Sequence, residues 1–326
     1  MLNLSDIEPI IRKIAIIDSG GAILGVVKSL LKHNPLTVNA YDKLLDFRTR
    51  ATDAYVFVAT TGRSGTKSLT KIFESAVDAA CFHEPHPIMF NDYPAGVDKE
   101  KYFRQLFFAR KRVHIKRSAI GRKYYLETNH QFIKNFVYPA VECFKDKIRI
   151  VHILRDPVKV AASFYAINSI PCKTHQGRYY LLNPFEDDNL IKIPDLLSDD
   201  GEFSDDISKC IWYWYEVHTR AKLAKQRCPH VQWFTMTTDD FNDKSKMVNM
   251  LESLEIEFDY GELEKVVGTR ENTCKELKKN KIELEECTQK HDKLLERMEN
   301  RYGKGFWISD LVSAQFSDNS SKLSVS

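Results

Sequence analysis

Residues 54–69 read AYVFVATTGRSGTKSL. The opening run, from Tyr55 onward, is short, continuous and apolar, which reads as a buried strand. TTGRSG then breaks the run, and Leu69, Ile72, Phe73, Ala76 and Val77 follow at helical spacing. Strand, glycine loop and helix in that order are the setting in which backbone N–H groups and a helix N-terminus surround a phosphate. Gly62 and Gly65 bring conformational freedom, Arg63 a forked positive charge, and Thr66, Lys67 and Ser68 open the helix. Many glycine turns between a strand and a helix bind nothing, so the loop alone does not decide the function.

The same grammar returns at residues 148–154, IRIVHIL, a β-branched run too continuous for a half-exposed strand and so covered on both faces. Asp156 and Pro157 follow as N-cap and first helical residue, and Val158, Ala161, Ala162 and Tyr165 continue a helix. Short runs at 80–82 and 123–127, a helix near 207–227 and a strand near 231–236 complete the pattern. It predicts an α/β protein, a P-loop-like three-layer fold with a central parallel sheet flanked by helices. Residues 1–51 form an expected N-terminal helical extension, 52–310 the main domain and 311–326 a flexible C-terminal tail. The connection from Asn168 to about 206 is rich in Pro, Gly and Asp and long enough to suggest a lid or acceptor-binding loop.

The 326 residues allow a sizeable core, and 43% hydrophobic with 29% charged residues is ordinary for a soluble globular protein. The seven cysteines are scattered and odd in number, without a C-x-x-C pair, which argues against a zinc site or disulfide framework and for a reducing, cytoplasmic setting. The longest uncharged stretch, Val160 to Cys172, is too short and too polar to span a membrane. Asp6, Glu8, Arg12, Lys13 and Asp18 interrupt any signal-peptide core. A net charge of +3 argues against bulk nucleic-acid binding. Lys101 to Lys123, by contrast, holds basic residues and no Asp or Glu.

A nucleoside-triphosphate loop requires G-x-x-x-x-G-K-[ST], and placing Lys67 and Ser68 in that frame puts Thr61 and Thr66 where the glycines belong. GRSGTKSL instead resembles the loop of sulfotransferases that use 3′-phosphoadenosine 5′-phosphosulfate. The resemblance implies that Arg63, Ser64, Gly65, Thr66, Lys67 and Ser68 hold the 5′-phosphosulfate. IRIVHILRDPVKVAASFY resembles the second signature of that superfamily, in which a strand-end Arg and a Ser eight residues later bind the 3′-phosphate; here these are Arg155 and Ser163. The order of signatures is closest to the carbohydrate sulfotransferases. YGKGFW, residues 302–307, is loosely similar to a basic segment that closes over the nucleotide, with Arg301 and Lys304 as candidate extra phosphate contacts.

Sulfuryl transfer to a hydroxyl needs positive charge at the leaving oxygen, donors for the sulfuryl oxygens and a base for the acceptor's proton. Arg63 and the loop backbone meet the first two needs, and no metal is required. For the base, YYLETNHQF (124–132) resembles the family strand that presents a catalytic Glu or His; Glu127 is the first choice and His130 the second, with Thr128 or Asn129 positioning the acceptor. FHEPHP (82–87) makes Glu84 a third candidate, with His83 and His86 as acceptor contacts. The partner is then a small-molecule or glycan hydroxyl, and the charges of 101–123, Arg110 and Arg112 among them, would dock an anionic one. The rival readings are a kinase-like nucleotide-dependent phosphotransferase and a non-catalytic nucleotide-binding module.

Overall fold

The structure is a computed structural model describing residues 35–269, 280 and 282–307. The chain runs α1 (Pro35–Arg48), β1 (Ala54–Ala59), α2 (Thr66–Phe73), β2 (Ala79–His83), α3 (Lys99–Leu106), α4 (Arg112–Ala119), β3 (Tyr124–Thr128), α5 (Val137–Phe144), β4 (Ile148–Leu154), α6 (Pro157–Ala166), α7 (His175–Tyr180), α8 (Pro194–Leu197), α9 (Asp206–Arg227), β5 (Gln232–Thr237), α10 (Lys244–Ser253), α11 (Tyr260–Val266) and α12 (Leu284–Tyr302). The five strands form one parallel sheet in the order β2-β3-β1-β4-β5. The first strand in sequence is thus the central one, and its glycine loop opens in the middle of the sheet's C-terminal edge.

Side-chain alternation explains why the strands read as unbroken apolar runs. Tyr55, Phe57 and Ala59 of β1 join Ile148 and Ile150 of β4 in one core, with α9 and α5. Val56 and Val58 join Val151, Ile153 and Leu126 in the other, with α2 and α10. Both faces of β1 and nearly all of β4 are buried, so apolar residues fill both parities there, whereas the edge strands β2 and β5 are half-buried. The first core is strongly aromatic: Phe57 stacks on Phe132 with ring centroids 4.8 Å apart, and Trp212 and Trp214 of α9 are fully enclosed.

Two helical stretches widen into π turns, at Phe107–Lys111 between α3 and α4 and at Phe132–Phe136 before α5. Each carries a buried lysine, Lys111 and Lys134, and the widened turn brings it inward among apolar neighbours. Asp156 caps α6 as expected, its carboxylate accepting from the Lys159 N–H at 2.9 Å.

The stretch from Asn168 to 206 is not a loose lid. Ile170, Leu181, Leu182, Ile191, Ile193 and Phe203 are buried, the Trp212 indole donates to the Ile191 carbonyl at 2.9 Å, and Glu216 accepts from the Leu190 and Ile191 N–H groups at 3.1 and 2.8 Å. These contacts fasten the segment to α9 as a packed strap. Among the described residues no helix is long and apolar enough to cross a membrane. Residues 1–34 of the expected extension, and the expected 311–326 tail, lie outside the described residues.

Candidate active site

The loop between β1 and α2 bends through left-handed backbone at Gly62, Arg63 and Gly65, with φ of 82°, 55° and 73°. Close neighbours crowd a larger residue at Gly62 and clash with one at Gly65. A Cβ on Gly62 would stand 3.2 Å from His130 Nδ1, and one on Gly65 2.6 Å from Phe241 Cε2. Gly65 is the N-cap of α2 and offers no side-chain cap, so the helix N-terminus keeps its capacity for an external anion.

The loop's carbonyls are turned to protein donors. The Tyr213 hydroxyl donates to Thr61 O at 2.9 Å, the Ser64 hydroxyl to Gly62 O at 3.0 Å, and the Arg155 guanidinium to Arg63 O. Ser64 is thereby an internal brace, its hydroxyl also 3.1 Å from that of Thr61. Thr66 is buried, Ser68 half-buried and Lys67 exposed.

The two phosphate-type elements meet. Arg63 Nε donates to the Ser163 hydroxyl at 3.0 Å, across the gap between the loop and α6. The Trp214 indole holds the Arg155 carbonyl at 2.9 Å and so anchors the strand end that presents this guanidinium. Burial lowers the Arg155 pKa first and the neighbouring Arg63 charge second, with Asp156 and Asp239 pulling the other way, so two cations share a partly enclosed pocket. Such a pocket favours an anion.

On the other side of the loop Glu84, His130 and Lys134 come together. His130 Nε2 lies 3.4 Å from Glu84 Oε1, and His130 Nδ1 lies 2.9 Å from Lys134 Nζ. Burial, then the Lys134 charge, then His83 hold the His130 pKa well below 6.5 against a hydrogen bond to the Thr61 backbone, so the ring is neutral at physiological pH. Burial raises the Glu84 pKa above its ordinary value against the opposing pull of Lys134 and Lys67. Glu84 keeps a quarter of its side chain exposed, and its backbone is left-handed at φ 47°. The Tyr180 ring stacks on His130 at 5.9 Å, with Phe90 edge-on to Tyr180 at 5.0 Å, making a partly exposed aromatic ledge beside the pair.

Glu127 is not brought to this cluster. Its carboxylate is wholly buried, 2.7 Å from Lys111 Nζ, and accepts from the Tyr125 hydroxyl at 2.6 Å and the Asn129 amide at 2.9 Å. No oxygen is left to meet an acceptor. Thr128 and Asn129 are similarly engaged, the first with Thr70 at 2.6 Å and His83 Nδ1 at 3.0 Å, the second with Glu127 and the Gln131 N–H. His83 is half-buried with its Nδ1 on Thr128, and His86 is exposed.

Further corrections concern the basic residues. Arg301 forms a fork with Asp195 at 2.7 Å and donates to the Lys192 carbonyl, fastening α12 to the strap. Trp307 packs on Trp214 at 4.8 Å, behind the Arg155 strand end, and Lys304 is exposed. In 101–123 the charge is largely consumed: Arg112 pairs with Asp42 at 2.5 Å, Lys116 with Asp46, Arg104 with Glu142 at 2.6 Å, Lys111 with Glu127 and Lys123 with Glu257 at 2.5 Å. Arg110 is exposed. The segment is a buttress rather than a free basic face.

Lys134 escaped the sequence reading. Its one signal is the spacing H-x-x-x-K from His130, which means nothing until the π turn is known to face the crevice.

Comparisons with known proteins bear on the same region. The family model described as the sulfotransferase domain matches residues 53–307. No curated protein matches the sequence. Among solved structures, the chain is similar to a sulfotransferase from Alicyclobacillus acidocaldarius (15% identity, 76% of this chain and 94% of that one, TM-score 0.42). It is also similar to the sulfotransferase domain from the curacin biosynthetic pathway (10%, 82% and 98%, TM-score 0.44). A third is the mouse sulfotransferase SULT7A1 complexed with PAP (12%, 78% and 89%, TM-score 0.38). With the family model matching from just before β1 to the end of the described chain, this protein belongs to the sulfotransferase family and is an enzyme of sulfuryl transfer.

Proposed function

We propose that the enzyme moves the sulfuryl group of 3′-phosphoadenosine 5′-phosphosulfate to a hydroxyl of a carbohydrate. The observation that carries the donor reading is the contact of Arg63 with Ser163 and of Arg155 with the Arg63 carbonyl, which joins two anion-seeking elements in one crevice. A nucleotide with phosphate-type groups at both its 3′ and 5′ positions fits such a pair. The crevice also lies outside the C-terminal ends of β1 and β4, where open α/β sheets bind ligands.

When bound, this donor supplies an activated sulfuryl group and a stable leaving phosphate. Arg63 and the uncapped N-terminus of α2 stabilise negative charge at the loop, where their preorganisation needs no rearrangement during reaction. Arg155 and Ser163 hold the second anion and set the register. Glu84 takes the acceptor's proton: its raised pKa makes it a better base than an exposed carboxylate, and it is the acid of the cluster with free surface. His130, neutral beside it, orients one carboxylate oxygen and leaves the other for the acceptor. The Tyr180–Phe90 ledge supports a ring-shaped acceptor, because an aromatic face suits the apolar side of a sugar. The odd, scattered cysteines support a cytoplasmic setting for the reaction.

The test is transfer of radiosulfur from labelled donor to a panel of mono- and oligosaccharides, phenols and amines. We expect label on sugars, falling by about 10²- to 10⁴-fold in Glu84→Gln. Label on phenols or amines alone contradicts the acceptor class. A labelled donor that is neither bound nor turned over, with MgATP binding in its place, contradicts the donor.

A further inference from the structure

Lys134 has no part in the mechanism above, although it is among the most enclosed charged groups at the crevice, 6% exposed. Its Nζ lies 2.5 Å from the Tyr180 carbonyl, 2.9 Å from His130 Nδ1 and 3.0 Å from the Tyr213 hydroxyl. The Tyr213 proton is committed to the Thr61 carbonyl at 2.9 Å, so this hydroxyl accepts from Lys134. Burial holds the Lys134 pKa well below 10.5 against the pull of Glu84, and the three acceptors match the three protons that the amine carries when charged. Among the described residues no carboxylate stands within ion-pair distance of this ammonium, whereas Lys111 on the other π turn has Glu127 at 2.7 Å. A buried cation without a carboxylate partner is costly, and packing alone would be served better by an apolar side chain.

We propose that Lys134 is a positioning residue: by donating to His130 Nδ1 it holds the imidazole as the Nε2–H tautomer, aims that proton at Glu84, and ties the pair to the phosphosulfate loop through Tyr213 and Thr61. The inference rests on the reading of Glu84 as the base. His130 and Lys134 are faced by Glu84 and His83 from the end of β2, Lys67 from α2, Tyr180 from α7 and Tyr213 from α9. Lys99 of α3 and Arg220 of α9 stand further out. Glu84 is the negative group of this set, with Glu127 of β3 acting on it from behind; burial first and the Lys134 charge second keep another proton off the ring. Without it the ring takes a second proton at a higher pH, and the imidazolium then holds the Glu84 carboxylate. Glu84 itself also loses a cation that holds its pKa down, but that loss raises its pKa and delays its ionisation. Both effects move the acid limb of the pH–rate profile upward.

The experiment records kcat/KM against pH for the wild type, Lys134→Met, Lys134→Arg and Glu84→Gln, alongside nitrogen-15 NMR of the His130 imidazole in the full-length wild type, assigned with His130→Gln. We expect the acid limb to rise by about one pH unit in Lys134→Met and to return toward the wild type in Lys134→Arg. The spectrum should show Nε2 protonated and Nδ1 bare from about pH 6 to 8. A protonated Nδ1 overturns the proposal whether or not Lys134→Met folds. Loss of turnover in Glu84→Gln with an unmoved limb in Lys134→Met overturns it while leaving the base assignment intact. Equal turnover by wild type and Glu84→Gln overturns the base assignment instead.

Discussion

Glu127 and Glu84 are carboxylates at the same edge of the sheet, and their surroundings give them opposite work. Glu127 is enclosed with Lys111, Tyr125 and Asn129, so Glu127→Gln strands a buried ammonium and should cost about 3–5 kcal/mol in denaturant unfolding. Glu84→Gln should change stability by less than about 1 kcal/mol, because the amide keeps the shape of a partly exposed side chain whose ring contact, with neutral His130, is 3.4 Å long. A Glu127→Gln enzyme as stable as the wild type would contradict the structural role. The choice of Glu127 from the sequence was sound chemistry applied without its partner: Lys111 belongs to another element, inside a run whose charges read as a solvated or docking face. The placement of Arg155 at a strand end and Ser163 on the next helix was legible because their spacing is local to one strand and helix. At Gly65, Ala meets both a positive φ and the Phe241 ring. Gly65→Ala should therefore lose at least about 1 kcal/mol and weaken binding of the donor product, measurable by calorimetry.

Among the elements, the strap from 168 to 206 departs most from its sequence reading. Its Pro, Gly and Asp content described backbone irregularity correctly but not attachment, because the groups that fasten it lie on α9 and α12. Glu216 is fully buried, accepts two strap N–H groups and receives Arg220 Nε at 2.7 Å. Glu216→Ala should unfasten residues 183–193, seen as faster limited proteolysis within them and a loss of about 3–5 kcal/mol. Cleavage elsewhere, at an unchanged rate in the strap, would contradict this attachment. A similar lesson comes from α1 and α4, where Asp42 and Asp46 meet Arg112 and Lys116 one helical turn apart on each helix. Periodicity shows which face of a helix is polar, but not that an acidic helix covers it.

At the scale of the whole molecule, the parallel sheet was readable because a strand covered on both faces must be apolar at nearly every position, as β1 is throughout and β4 is apart from Arg149 and His152. Strand order was not readable: pairing of β1 with both β3 and β4 is a long-range choice that no local pattern encodes. The same doubly covered sheet buries His152 of β4 against His218 of α9, with Nε2 of the first 2.9 Å from Nδ1 of the second. Burial lowers the His152 pKa from 6.5 to about 4. The unfolded chain then binds more protons than the folded one between these values, so stability falls as pH drops from 6.5 toward about 4. This group accounts for about 3 kcal/mol of that loss, and unfolding midpoints for wild type and His152→Asn should converge as pH falls.

Donor binding of the proposed kind requires β1 and β4 each to deliver one anion-binding element to the same crevice. Calorimetric titration with adenosine 3′,5′-bisphosphate, on the wild type and on Arg155→Ala, tests this most directly. The account predicts one binding site per chain in the wild type and at least about a tenfold loss of affinity in the variant, since a charge-assisted contact is worth about 1.5–3 kcal/mol. Equal affinity in the two proteins, or no binding to either, would contradict it.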